Sequence, residues 1–160
     1  MPTWEEYKRT MVMEPQIFEE ARSGNCEALR QYLAFGGDIE IRNHKGHTLL
    51  MLAAYHDQEH ASELLIEHGA DVNSLDEMGN SILMGACFKG HVRVVELLLS
   101  QGAMTDLKNP HGMTALDLAR VFGRKDVVSL LSDRPAAWSD PMEVACRLIA
   151  RKLSRPTPEA

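Results

Sequence analysis

The chain repeats itself with a fixed step, the interval from Gly46 to Gly79 and again from Gly79 to Gly112. Gly46-His47-Thr48-Leu49-Leu50-Met51 returns as Gly79-Asn80-Ser81-Ile82-Leu83-Met84 and again as Gly112-Met113-Thr114-Ala115-Leu116-Asp117. Further along the unit, Glu63-Leu64-Leu65 returns as Glu96-Leu97-Leu98, and Gly69-Ala70 as Gly102-Ala103, with Gly36-Gly37 one step earlier. A period of this size means a stack of supersecondary units, none of which buries its apolar face alone. Such a stack grows unit by unit, so a length of 160 residues does not imply one spherical core or an enzyme-sized cleft.

Within each unit the apolar residues recur at helical spacing in two runs separated by a turn. The spacing predicts first helices over Leu49 to Tyr55 and Ile82 to Phe88, and second helices over about His60 to Glu67 and Val92 to Ser100. The first unit starts at Pro15, breaks at Ser23-Gly24-Asn25 and ends at Phe35-Gly36-Gly37, where glycine supplies the left-handed backbone of a helix end. Leu50, Ala53, Ala54, Leu64, Leu65, Leu83, Ala86, Cys87, Val95, Leu97 and Leu98 form the expected core. The fourth unit keeps Leu116, Ala119, Val127, Val128, Leu130 and Leu131 but lacks the closing Gly-Ala.

These residues resemble the ankyrin repeat family from roughly Pro15 to Asp133. The family opens its unit with G-x-T-P-L-H and closes it with G-A-D-V-N, and here Gly69-Ala70-Asp71-Val72-Asn73 carries the close. The opening departs at two places: Leu49, Ile82 and Ala115 stand at its Pro, and Met51, Met84 and Asp117 at its His. The resemblance implies an all-α repeat solenoid of helix-turn-helix units joined by hairpin-like loops, with repeats at about 14–45, 46–78, 79–111 and 112–133. It also implies a non-catalytic binding module without a cofactor, acting on another protein as an inhibitor, protective partner or assembly factor.

The flanks read as covers for the open ends of the stack. Thr3 and Glu6 form a capping box for a leading helix within 1–13, with Trp4 and Tyr7 on its apolar face or available as an interaction arm. Asp140-Pro141-Met142-Glu143 starts a second capping helix within 134–154, and 155–160 is an expected flexible tail. Arg147, Arg151 and Lys152 on that helix leave open a membrane-associated adaptor. A net charge of −6 argues against nucleic acid or an anionic membrane as the main partner. The three cysteines, Cys26, Cys87 and Cys146, are widely spaced and suit a reducing compartment; with no signal-like amino end, a cytoplasmic monomer is expected.

One string invites a catalytic reading. His56-Asp57-Gln58-Glu59-His60 fits H-x-x-E-H, the spacing of inverted zinc peptidases, which need both histidines on one helix. It falls where sister units have Ser23-Gly24-Asn25 and Lys89-Gly90-His91, so a turn with left-handed Asp57 is expected instead, and no metal site.

In ankyrin stacks the loop tips and the exposed flank of the first helices form a concave binding surface. Carried over by register, the loop positions are His44, Lys45, His47, Glu77, Met78, Asn80, His111 and Met113. The helix positions are Arg22, Tyr55, His56, Phe88, Lys89 and Phe122, beside Ser23 and Val121. Tyr55, Phe88 and Phe122 fall at or next to one repeat position, where a merely solvated flank would be polar. Aromatics, methionines and histidines together have the composition of a protein-binding hot spot. Packing of these rings over the neighbouring repeat is the competing expectation.

Overall fold

The computed structural model describes residues 15–133, which form eight helices in four pairs. The pairs are α1 (Ile17–Ser23) with α2 (Cys26–Ala34), α3 (Leu49–Tyr55) with α4 (Glu59–Glu67), α5 (Ile82–Lys89) with α6 (Val92–Ser100), and α7 (Ala115–Val121) with α8 (Lys125–Ser132). The expected leading helix, carboxy-terminal cap and tail lie outside the described residues. Each first helix packs on the first helix of the next unit, from α1 through α3 and α5 to α7, and the second helices do the same from α2 to α8. Two parallel rows of helices result, as a repeat solenoid requires.

Local chemistry explains why the pairs form where they do. Thr48, Ser81 and Thr114 occupy the cap of α3, α5 and α7, and each hydroxyl accepts the backbone N–H three residues on, from Met51, Met84 and Asp117. These caps satisfy donors a helix start leaves open. The residues at the family's histidine position add to them: the Met84 sulfur accepts from the Ser81 N–H at 3.4 Å, and the Asp117 carboxylate accepts from both the N–H and the hydroxyl of Thr114, at 2.9 and 2.8 Å. The turn between helices needs left-handed backbone. Gly90 supplies it with φ 85°, and Asp57, the single non-glycine of positive φ among the described residues, takes it with φ 61°.

Buried Leu50, Leu65, Leu83 and Leu98 run along the stack between the rows, and Ala53, Ala54, Ala86 and Ala119 allow the first helices to approach closely. Leu97 corrects the sequence-based core: it is half-buried, and Leu99 is buried instead. Along α6 the inward stripe is Val94, Val95, Leu98 and Leu99, spaced for one helical face, and Leu97 points off it. In the last described pair Leu116, Val128, Leu130 and Leu131 are only half-buried, in keeping with a terminal unit. His60 begins one residue inside α4, and α5 runs one residue past Phe88, to Lys89.

Candidate functional site

The concave side carries a groove of about 600 Å³ that crosses all four units, from Arg22 on α1 to Phe122 at the end of α7. Its floor is built by Met51, Leu52, Met84, Gly85 and Leu118 of the successive first helices. Its loop wall comes from three tips in register. Asn43, Asp76 and Asn109 stand one repeat step apart, and each side-chain oxygen accepts the N–H of the residue four positions on: His47, Asn80 and Met113. Asx side chains that close their own turns in this way fix loops without regular strands. Neighbouring tips are also tied to each other, by the Glu77 N–H to the Lys45 carbonyl at 3.2 Å and by the Asn109 amide to Asn80 at 3.2 Å.

The helix wall is an aromatic ladder. Tyr55 and Phe88 stack with ring centroids 6.4 Å apart and planes within 10°, and Phe122 meets Phe88 edge-on at 4.5 Å. His56 packs edge-on to Tyr55, and the Lys89 ammonium lies 4.7 Å over the Tyr55 ring, a cation–π distance. Phe122 is one position out of register with the other two, and its ring spans the offset. The ladder is shared between packing and solvent: Phe88 is half-buried, while Tyr55 and Phe122 keep 38% and 46% of their surface exposed. Aromatic pairs of this kind contribute about 0.5–1.5 kcal/mol beyond burial.

The backbone beneath the ladder is pinned from the next unit. Gln58 Nε2 donates to the Arg22 carbonyl at 3.1 Å, His91 Nε2 to the Tyr55 carbonyl at 3.0 Å and Arg124 Nε to the Phe88 carbonyl at 2.9 Å. Donors and acceptors both advance by the repeat step. Each bond satisfies a carbonyl at a helix end, and for Tyr55 and Phe88 that carbonyl belongs to the ladder residue itself. His91 also faces Asp57, Nδ1 to Oδ1 at 3.5 Å.

Of the residues placed here by register, Arg22, His44, Lys45, His47, Tyr55, His56, Met78, Asn80, Phe88, His111, Met113 and Phe122 line the groove. Glu77 and Lys89 do not: Glu77 joins adjacent loops, and Lys89 covers Tyr55 from the side. Register alone missed Met51 and Met84 on the floor and the Asx residues of the loops. The recurrence of Asn43, Asp76 and Asn109 at the repeat step was the available signal for the latter.

The electrostatics inside differ from those of the whole chain. Arg22, which pairs with Glu19, contributes a cation at one end and Lys45 another on the loop wall, with His44, His47 and His111 on the loop wall and His56 on the helix wall. Asp76, the one carboxylate of the lining, accepts from Asn80 and faces His47 Nε2 at 3.8 Å. Partial burial, then the Arg22 and Lys89 charges, push the His56 imidazole below the usual histidine range, with Glu19 opposing.

The zinc string does not assemble. His56 ends α3 and His60 lies in the first turn of α4, on opposite sides of the Asp57 turn. Among the described residues no group of three His, Cys, Asp or Glu gathers to hold a metal, and no helix is long and apolar enough to cross a membrane. Burial pushes the Cys87 thiol up to about 12, far from a reactive thiolate.

A helix-pair stack with Asx-closed loops and a concave groove defines a class, and the family of ankyrin repeats (3 copies) matches residues 17–109 and 70–141. The chain belongs to the ankyrin repeat family. A stretch of 41 residues is 54% identical to the ankyrin repeat protein PA3287 of Pseudomonas aeruginosa, covering 26% of this chain and 24% of that protein. The match therefore spans about a quarter of that relative's length. Ankyrin repeats are in general protein–protein interaction modules.

Proposed function

We propose that this chain binds another protein through its concave groove, without catalysis of its own, and acts as an inhibitor, protective partner or assembly factor of that protein. The observation that carries the reading is the Tyr55–Phe88–Phe122 ladder, stacked across three units yet partly open to solvent. A residue needed only for packing gains nothing from standing open. Aromatics on a rigid, pre-formed wall lose little freedom on binding and are the residues most often found as hot spots.

The test is the double variant Tyr55→Ala/Phe88→Ala, compared with wild type in a pull-down quantified by mass spectrometry and in denaturant melts. The expected outcome is a cooperatively folded protein whose partner affinity falls by about 2 kcal/mol or more per anchor. A variant that retains its partner, or one that loses about 3–5 kcal/mol of folding stability for each ring as a core residue would, sinks the assignment.

A further inference from the structure

We infer that the chain's own carboxy-terminal segment, Asp140 to Leu153, docks in a trough of about 840 Å³ on the outer side of the stack, between α4, α6 and α8. The inference is independent of what the concave groove holds.

The apolar floor of the trough points to an occupant that starts nearby. Leu64, Leu97 and Leu130 stand one repeat step apart on α4, α6 and α8. Leu64 is buried, whereas Leu97 and Leu130 are half-buried and, with half-buried Val92, line the trough. The open part of the stripe is therefore confined to the last two units. Asp133, which caps the end of α8, lies on the rim of the same trough, so the rest of the chain departs from its edge. In that remainder Val144, Ala145, Leu148 and Ile149 fall on one face of the helix that the sequence predicts from Asp140. An apolar helix face thus begins a short linker away from an apolar floor that lacks a cover.

Charge matches as well. Glu59 opens α4, Asp126 is the second residue of α8 and Glu96 stands midway along α6, so three carboxylates ring the helix-start edge of the trough. Arg93 reaches Glu59 at 3.4 Å and Glu96 at 3.6 Å, and Asp126 has no ion pair among the described residues. The segment is polarised to suit this edge: Asp140 and Glu143 open it, and Arg147, Arg151 and Lys152 close it. Running back from Asp133 toward the start of α4, it brings its basic end to the three carboxylates. Arg147 and Arg151, four residues apart, lie on one flank of the apolar face, where rim charges fix orientation while burial supplies the contact.

The lengths agree. Asp133 and Glu59 mark opposite corners of the trough, two helix spacings of ~8–10 Å across and about 13 Å along a second helix, hence roughly 21–24 Å apart. As a helix of ~1.5 Å rise per residue, Asp140 to Leu153 is about 21 Å long. A linker as short as 134–139 holds the segment at an effective concentration on the order of mM, so a modest contact keeps it seated.

The experiment uses the full chain with a diazirine amino acid placed at Leu97, on the floor of the trough, and separately at Leu116, half-buried in the last unit at the open end of the stack. After irradiation, crosslinked peptides are mapped by mass spectrometry. Position 97 should join to 140–153 within one chain, and position 116 should not. Leu148→Asp should cut that yield several-fold, as should Arg147→Glu/Arg151→Glu. Adding Glu96→Arg/Asp126→Arg to the latter should restore it; both acids are exposed on the repeats, and urea melts check that the stack stays folded. Attachment from position 116 in place of 97, or equally from both, would make the segment a cap on the end of the stack and overturn the inference. A crosslink joining isotope-labelled to unlabelled chains would seat the segment on a second copy and overturn it too, as would no crosslink to 140–153 from either position. A crosslink from 97 that persists through the Arg147→Glu/Arg151→Glu reversal would overturn the role given to the acidic edge.

Discussion

Of two depressions among the described residues, the larger is the poorer candidate. On the outer side, α4, α6 and α8 enclose about 840 Å³ lined by Glu59, Glu96, Asp126 and Asp133 with Arg93, over Val92, Leu97, Leu99 and Leu130. The concave groove encloses about 600 Å³ but has aromatics, methionines and cations where the outer one has carboxylates and aliphatic chains. Size follows from how two rows of helices splay; composition follows from what each row is for. The outer row completes the core: Leu99 is buried there, and Leu97 and Leu130 are half-buried. The inner row has its core filled by small residues such as Ala53, Ala54 and Ala86, which leaves the rings above them available.

The sharpest way to break this contrast is to truncate one apolar residue at each depression. Leu99 is 3% exposed, and Leu99→Ala should cost about 2–5 kcal/mol of folding stability in urea melts while the folded fraction binds as before. Tyr55→Ala should do the reverse, costing no more than the about 0.5–1.5 kcal/mol of its ring contact while weakening binding. Equal costs at both positions would erase the distinction.

A smaller effect, of opposite sign, is expected at Gly85. It lies inside α5 with ordinary helical backbone, and a Cβ there would meet the Tyr55 ring at 3.5 Å, a normal van der Waals contact. Alanine in a helix interior is favoured over glycine by about 1 kcal/mol, so Gly85→Ala should raise the melting temperature. It also adds a methyl group to the groove floor beneath Tyr55. Stability gained with binding lost would show that the glycine is kept for the groove; an unchanged or lower melting temperature would contradict this.

The pH dependence is modest and arises at the inner row of helices. Burial and then the Arg22 and Lys89 charges lower the His56 pKa on folding, so the folded state favours neutral imidazole. The resulting stability is complete above the unfolded histidine value of about 6.5 and is lost as pH falls below it. Asp117, held low by the Thr114 backbone N–H and then the Thr114 hydroxyl, contributes stability above the unfolded carboxylate value of about 3.9, lost as pH falls through its folded value. Urea midpoints should therefore decline first between about pH 7 and 5 in wild type but less in His56→Gln. Parallel profiles for the two proteins would sink the His56 account. The least effect belongs to the outer rim, where Arg93 meets Glu59 at 3.4 Å and Glu96 at 3.6 Å while 73% exposed. Arg93→Ala should change stability by about 0.5 kcal/mol or less; a larger loss would give the outer depression a structural role.

The fold was legible because its signal is repeated. The constant step from Gly46 to Gly79 to Gly112 placed the helix pairs of the second and third units to within a residue, and Asp57 could be recognised as a left-handed turn by standing where Gly24 and Gly90 do. Much of the groove followed from the same register. What escaped it was chemistry that repeats in geometry and varies in residue type. Gln58, His91 and Arg124 share no chemical class, yet each donates to the helix-end carbonyl of the preceding unit. Leu97 shows the opposite failure: it is identical in type to its neighbours and distinguished only by helical phase.

The central claim is that partners are held on the concave side. A photo-crosslinking amino acid placed at Met78, a loop tip of the groove that is 70% exposed, and separately at Arg93 on the outer face, tests it in native lysate. The account predicts one dominant adduct from position 78, absent from position 93 and abolished when Tyr55→Ala/Phe88→Ala is added. The same adduct from position 93, or an adduct from 78 indifferent to the ladder, would contradict it.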